Sequence, residues 1–130
     1  MKKKRKSWKN SEFDSELEVL FWKHWKKAYP NSLPAKQHKF CPGRNYRFDF
    51  AWLSKKVAIE IQGYGPGHNS REGMTRDYDK HYEALKLNWK VIYLTSIHLS
   101  PPRIIDTTNK IATLLDLQVR DGYIPLKWRQ

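Results

Sequence analysis

The sequence predicts an α/β fold, helices packed around a small mixed sheet in the order α-β-β-α-β-α. Three observations carry that prediction. From Tyr46 to Gln62 the chain reads YRFDFAWLSKKVAIEIQ, where Tyr46, Phe48, Phe50 and Trp52 alternate with Arg47, Asp49, Ala51 and Leu53. Val57, Ile59 and Ile61 then alternate with Ala58, Glu60 and Gln62, so two strands of period two form a hairpin. Apolar residues recur at helical spacing on both sides of it. Lys90 to Thr95 (KVIYLT) adds a further β-rich run between two helical stretches.

The elements follow in chain order. Residues 11–29 read as the first helix, with Ser11 as cap and Asp14 as its capping-box partner. Phe13, Leu17, Leu20, Phe21 and His24 or Trp25 recur along one face, and Tyr29-Pro30 ends the run. Lys23, Lys26 and Lys27 load its C-terminal end, where the helix dipole favours cations. Residues 30–45 contain three prolines and read as loop, with room for a short strand around Lys36 to Phe40. In the hairpin, a two-residue turn at Ser54-Lys55 sets Leu53 against Lys56 and, in the same register, Asp49 against Glu60. Gly63 to Gly73, with four glycines, is a loop. Residues 75–88 read as the second helix, with Tyr78, His81 or Tyr82, and Leu85 on its apolar side and Asn88 as a left-handed cap. Ser100 caps a third helix with Pro101 at its first position and Ile104, Ile105, Ile111, Ala112, Leu114 and Leu115 inward. In the tail, Tyr123-Ile124 suits an edge strand or a partner contact.

Length and composition bound the function. At 130 residues the chain fits one domain, divided into a basic flexible arm (1–10), a folded body (11–119) and a C-terminal tail (120–130). The lone Cys41 excludes an internal disulfide framework and any multi-cysteine zinc site. No apolar run approaches the roughly 18 residues of a membrane span, and no signal-peptide core follows the basic start. The expected compartment is the cytoplasm. The net charge is +12, from 25 basic and 13 acidic residues. Such a balance marks a polyanion partner, nucleic acid first and an anionic membrane surface second. Lys2 to Lys6 supplies five of those charges, so the remaining +7 belongs to the rest of the chain.

The hairpin carries the chemistry. Asp49 facing Glu60 is a pair of like charges about 5 Å apart, which costs stability unless a cation lies between them. Glu60 and Gln62, two residues apart, point to the face that carries Asp49. Two carboxylates, the main-chain carbonyl of Ile61 and water make an oxygen-only site suited to Mg²⁺ or Mn²⁺. The bland alternative is a solvent-facing hairpin whose carboxylates are neutralised by Arg47 or Lys56. Arg44, Arg47, Arg71, Arg76, Lys55 and Lys56 lie on or next to this stretch and are candidates for phosphate contacts. Trp22, Trp25, Trp52 and Trp89 fit core positions, whereas Trp8 and Trp128 stand in basic flanks and suit base stacking or a dimer contact. The five histidines have neither HExxH nor zinc-finger spacing, and GYGPG is not followed by the Lys-Ser/Thr of a P-loop.

The residues RFDFAW, VAIEIQG, a GH-containing loop and RDYDKHYEALKLNWKVIYLT resemble the PD-(D/E)xK nuclease superfamily over residues 15–95. The likeness is to small phage and bacterial members similar to very-short-patch-repair endonucleases and Holliday junction resolvases. It implies a restriction-endonuclease-like α/β/α sandwich and a Mg²⁺-dependent DNA endonuclease. Asp49 then takes the strand aspartate's place and Glu60 begins the (D/E)-x-K triplet. Gln62 stands where lysine is expected: it keeps a polar group to orient a water but loses the cation, and Lys80, in DYDK, is the candidate to supply it, the bland alternative being a surface lysine paired with Asp77 or Asp79. The helix glutamate is Glu18, with Glu16 as the alternative. His68, directly after the triplet strand, suits a contact to the scissile phosphate or proton transfer. The resemblance further implies branched DNA as substrate and a homodimer. A mismatch- or sequence-directed nicking enzyme and a non-catalytic DNA-binding module on the same fold are the alternatives.

Overall fold

The computed structural model describes residues 15–62 and 70–119. The arm, the Ser11–Asp14 cap with Phe13, the loop with His68, and the tail with Tyr123-Ile124 and Trp128 lie outside them, as does Trp8.

Helix α1 spans Glu16–Ala28. Its cap is Ser15, whose hydroxyl accepts the Glu18 N–H at 3.2 Å. Glu16 and Glu18 lie in the first turn and Lys26 and Lys27 in the last, each on the side of the dipole that favours it. The helix stops at Tyr29, as expected from the proline that follows it. Strand β1 spans Ala35–Lys39, β2 Arg47–Trp52 and β3 Val57–Ile61. Helix α2 spans Arg71–Lys86, and Asn88 beyond it takes the left-handed φ of 67° expected of a cap residue. Strand β4 covers Lys90–Leu94. The sheet order is β1-β2-β3-β4, antiparallel except for the parallel pair β3–β4. The result is a small α/β domain with a four-stranded mixed sheet flanked by helices, one edge strand richer than the predicted order. No helix among the described residues is long and apolar enough to cross a membrane.

The hairpin has the expected parity and a longer turn. Trp52 pairs with Val57, so Leu53 to Lys56 form a four-residue loop rather than a two-residue one. Two successive turn bonds close it, Lys55 N–H to the Trp52 carbonyl (3.2 Å) and Lys56 N–H to the Leu53 carbonyl (3.3 Å), with Lys56 at φ 55°. Both turn lengths leave the same residues facing each other. Phe50 pairs with Ile59, and the next positions outward are Asp49 and Glu60.

The two faces of the sheet bury different residues. Phe50, Trp52, Val57, Ile59 and Leu94 pack against Phe21 and Trp25 of α1 and against the C-terminal helices. The other face is built on small side chains: Ala51 and Ala58 meet Ala84 of α2, with Phe48, Phe40 and Trp89 alongside. Phe48 joins this second cluster although it lies two residues from Phe50, so the simple alternation of β2 breaks at Asp49.

Two expectations are overturned. The stripe Tyr78, Tyr82 and Leu85 of α2 is exposed, and Gly73 and Ala84 are buried instead. The reason is the floor beneath: Ala51 and Ala58 let a helix approach closely only through small residues. The single third helix is two helices, α3 (Ser96–Leu99) and α4 (Arg103–Leu114). Pro102, not Ser100, is the N-terminal cap of α4, because the Ser100 hydroxyl donates back to the Ser96 carbonyl at 2.9 Å. Of the inward set, Ile104, Ile111, Ala112 and Leu115 are buried, while Leu114, like Leu20 of α1, is exposed.

Candidate active site

Asp49 and Glu60 meet at the outer end of the β2–β3 ladder, on the face covered by α2. Each carboxylate takes over a backbone donor that a continued ladder would have used. Glu60 Oε2 accepts the Asp49 N–H at 3.0 Å, and Asp49 Oδ2 accepts the Ile61 N–H at 2.7 Å. The pair is therefore fixed by main chain, not merely juxtaposed.

Its electrostatics are unfavourable without a cation. Burial, and then the Asp49 carboxylate, push Glu60 from 4.5 up to about 7, against the opposing pull of Lys80. Lys80 reaches across from α2 and places Nζ 2.7 Å from Glu60 Oε1, with only 22% and 13% of the two side chains exposed. Its ammonium also lies 6.0 Å from the centre of the Phe48 ring. A cation from the next helix thus lies on Glu60, the position two residues before Gln62. The Gln62 N–H donates to the Leu94 carbonyl at 2.7 Å, and its side-chain amide makes no hydrogen bond among the described residues.

Glu18 is buried in the first turn of α1 and accepts a hydrogen bond from Gln37 Nε2 at 2.8 Å. Gln37 sits between Lys36 and His38, which pair with Phe50 and Phe48, so it lies opposite Asp49 in β1, at a left-handed φ of 51°. One side chain's reach therefore separates Glu18 from the strand position of Asp49. Among the described residues no group of three or more His, Cys, Asp or Glu side chains is disposed to hold a metal.

Three site residues escape sequence reasoning. Gln37 is one, since nothing in AKQHK marks a left-handed residue. The other two are Tyr93, which lies beside Glu60 in the β3–β4 register, and His81, whose Nδ1 lies 2.8 Å from the Tyr93 hydroxyl. Burial, followed by the Glu60 and Asp77 carboxylates, raises the Tyr93 phenol. Tyr93 reads as a strand residue and His81 as a helix residue; only their juxtaposition is informative.

The basic candidates divide. Arg47 is exposed two residues before Asp49, Arg76 is exposed one turn before Lys80, and Arg71 opens α2. The Arg44 guanidinium lies over the Tyr46 ring at 5.1 Å. Lys55 and Lys56 are not beside the carboxylates: they occupy the turn, five and four residues from Glu60, roughly 13 Å or more along the strand. There Lys55 pairs with Asp116 at 3.0 Å, and Lys56 donates to the Leu87 carbonyl at 2.9 Å. Lys56 thus serves the C-terminal end of α2 rather than neutralising the pair. His68 lies outside the described residues. No family model matches the chain, and no curated protein or solved structure matches it either.

Proposed function

We propose that the chain is a Mg²⁺-dependent DNA endonuclease of restriction-endonuclease-like α/β/α design, with Mn²⁺ as a substitute ion. One observation carries this reading: two carboxylates, each accepting a backbone N–H from the facing strand, meet in a partly buried site, where burial and then the Asp49 charge push Glu60 up to about 7 despite Lys80. The donor set fits a hard divalent cation, all oxygen and two formal charges. Asp49, Glu60 and the Ile61 carbonyl would hold it; Glu18, which accepts from Gln37, would have to leave that bond to join them as the helix ligand. Bound there, such an ion polarises a phosphoryl oxygen and acidifies a coordinated water. Lys80, already on Glu60, is placed to orient the attacking water or to neutralise the phosphate, and Gln62 offers an amide for the same water. Arg47, Arg71 and Arg76, on a chain of +12, draw the phosphate backbone toward the site.

The favoured substrate is branched DNA such as a four-way junction, cut by a homodimer in the cytoplasm of a bacterium or a phage-infected host. The competing reading, a DNA-binding module on a nuclease fold, draws on Gln62 in place of lysine.

Incubation with four-way junction, mismatched duplex and plain duplex in Mg²⁺ separates the two. The nuclease reading expects cleavage of the junction above the duplexes and its loss in Asp49→Ala, with DNA binding retained. Binding without cleavage of any substrate in Mg²⁺ or Mn²⁺ would establish the module instead.

A further inference from the structure

Strand β4 stands at one end of the sheet order, and on the side away from α2 it meets the C-terminal helices across a cleft of about 220 Å³. The walls are aliphatic: Ile92 and Leu94 come from β4, Ile111 and Leu114 from α4. Leu94 and Ile111 belong to the core, whereas Leu114 is 44% exposed and leaves apolar surface at the mouth. The volume takes one ring with a small polar group, below the roughly 300 Å³ at which sites for drug-sized ligands begin.

The polar groups bordering the cleft are mostly donors. His98 Nδ1 accepts the Thr95 N–H at 3.0 Å, and a ring nitrogen that accepts carries no proton. The proton therefore sits on Nε2, which has no hydrogen-bond partner among the described residues. Arg103, the first residue of α4, brings a guanidinium fork that likewise makes no hydrogen bond or ion pair among the described residues. Thr107 uses its donor internally, on the His98 carbonyl at 2.9 Å. Asp106, the carboxylate of the lining, already holds Lys110 at 3.1 Å. Arg103 and Lys110 against Asp106 leave the lining one positive charge in surplus.

Open donors, aliphatic walls and one surplus charge fit a monoanion with a flat apolar body. The guanidinium fork matches the two oxygens of a carboxylate. A phosphate dianion brings more charge than the lining balances and is repelled by Asp106. We infer that this cleft is a binding site for a small aromatic carboxylate, with its ring between β4 and α4 and its acid group on Arg103 and the His98 Nε2–H. The inference does not depend on the nuclease reading, because the cleft lies on the opposite side of the sheet from α2 and requires neither metal nor DNA.

Benzoate is the probe, titrated into the full chain without DNA or metal and followed by the amide resonances of the protein. It is expected to bind with a Kd on the order of 1 mM, as befits so small a ligand, and to shift amides of β4 and α4. Benzamide keeps the ring without the charge and acetate keeps the charge without the ring; each is expected to bind at least about 10-fold more weakly. Arg103→Gln is expected to weaken benzoate about 10-fold, and Leu114→Glu, which sets a carboxylate at the mouth, to abolish its binding. Both positions are exposed, and unchanged resonances away from the cleft confirm that the variants are folded. Benzoate that binds no tighter than benzamide or acetate overturns the inference. So does phenyl phosphate binding more tightly than benzoate, which marks only the general attraction of a chain of +12. Benzoate binding that both variants leave intact overturns it as well, by placing the ligand elsewhere.

Discussion

Glu60 stands between opposing demands. Burial and Asp49 drive it toward the neutral acid, while Lys80 holds it ionised, and the balance lies near pH 7. A raised folded-state pKa means that the native protein binds a proton which the unfolded chain has released between about pH 4.5 and 7. Without metal, stability therefore falls as pH rises through that window, by on the order of 3 kcal/mol from this group. Thermal unfolding at pH 5 and pH 8 checks the sign. Added Mg²⁺ is expected to raise the melting temperature at pH 8 and to have little effect at pH 5, where the proton already occupies the site. Lys80→Met removes the counter-charge and leaves Glu60 with a still higher pKa. It is expected to lower cleavage at least about 100-fold while DNA affinity changes little, since one phosphate contact is a small share of a polyelectrolyte attraction. Single-turnover cleavage beside a binding titration reads both quantities.

The elements explain why these groups meet. The hairpin was legible because its apolar residues recur with a period of two in the sequence; the break at Asp49, which sends Phe48 to the opposite face from Phe50, was not. The turn length was not, since loops of two and four residues leave Asp49 facing Glu60 alike. Helix α2 was misread for a physical reason. Tyr78, Tyr82 and Leu85 have the spacing of a core face, but Ala51 and Ala58 make a floor that α2 meets through the small Ala84. Which strands lie under a helix is not written in the helix. The same close approach lets the Lys80 stem run inward to Glu60. Ala58→Leu is therefore expected to lift α2 from the sheet, at a cost of about 1–3 kcal/mol from overpacking. Because Lys80 moves with the helix, cleavage should fall further than stability alone accounts for. Chemical denaturation and activity measured on the folded fraction separate the two effects. The break between α3 and α4 had a visible cause in Pro101-Pro102, yet Ser100 looks like a cap until its hydroxyl is seen to bond Ser96.

At the scale of the molecule, charge and fold divide the labour. The sheet and helices hold one anchored carboxylate pair on the face beneath α2, while a net charge of +12 would, in the proposed nuclease, supply attraction to DNA without sequence preference. DNA affinity is accordingly expected to drop at least about 100-fold between 50 and 200 mM NaCl, with a linear dependence on the logarithm of salt. Fluorescence anisotropy on junction and duplex across that range gives the slope for each. If shape is what the protein reads, the junction and duplex lines should be parallel and offset, since both present the same phosphates.

The claim that everything else depends on is that Asp49 and Glu60 take a divalent cation. Titration of the protein into Mn²⁺ at pH 8, followed by the electron paramagnetic resonance of the free ion, addresses it without DNA or turnover. The wild type is expected to deplete the free-ion signal, less so at pH 5.5 where the Glu60 proton competes, and the Asp49→Asn/Glu60→Gln double variant is expected to leave it unchanged. A wild type that leaves the signal intact, or a double variant that depletes it equally, would contradict the metal site.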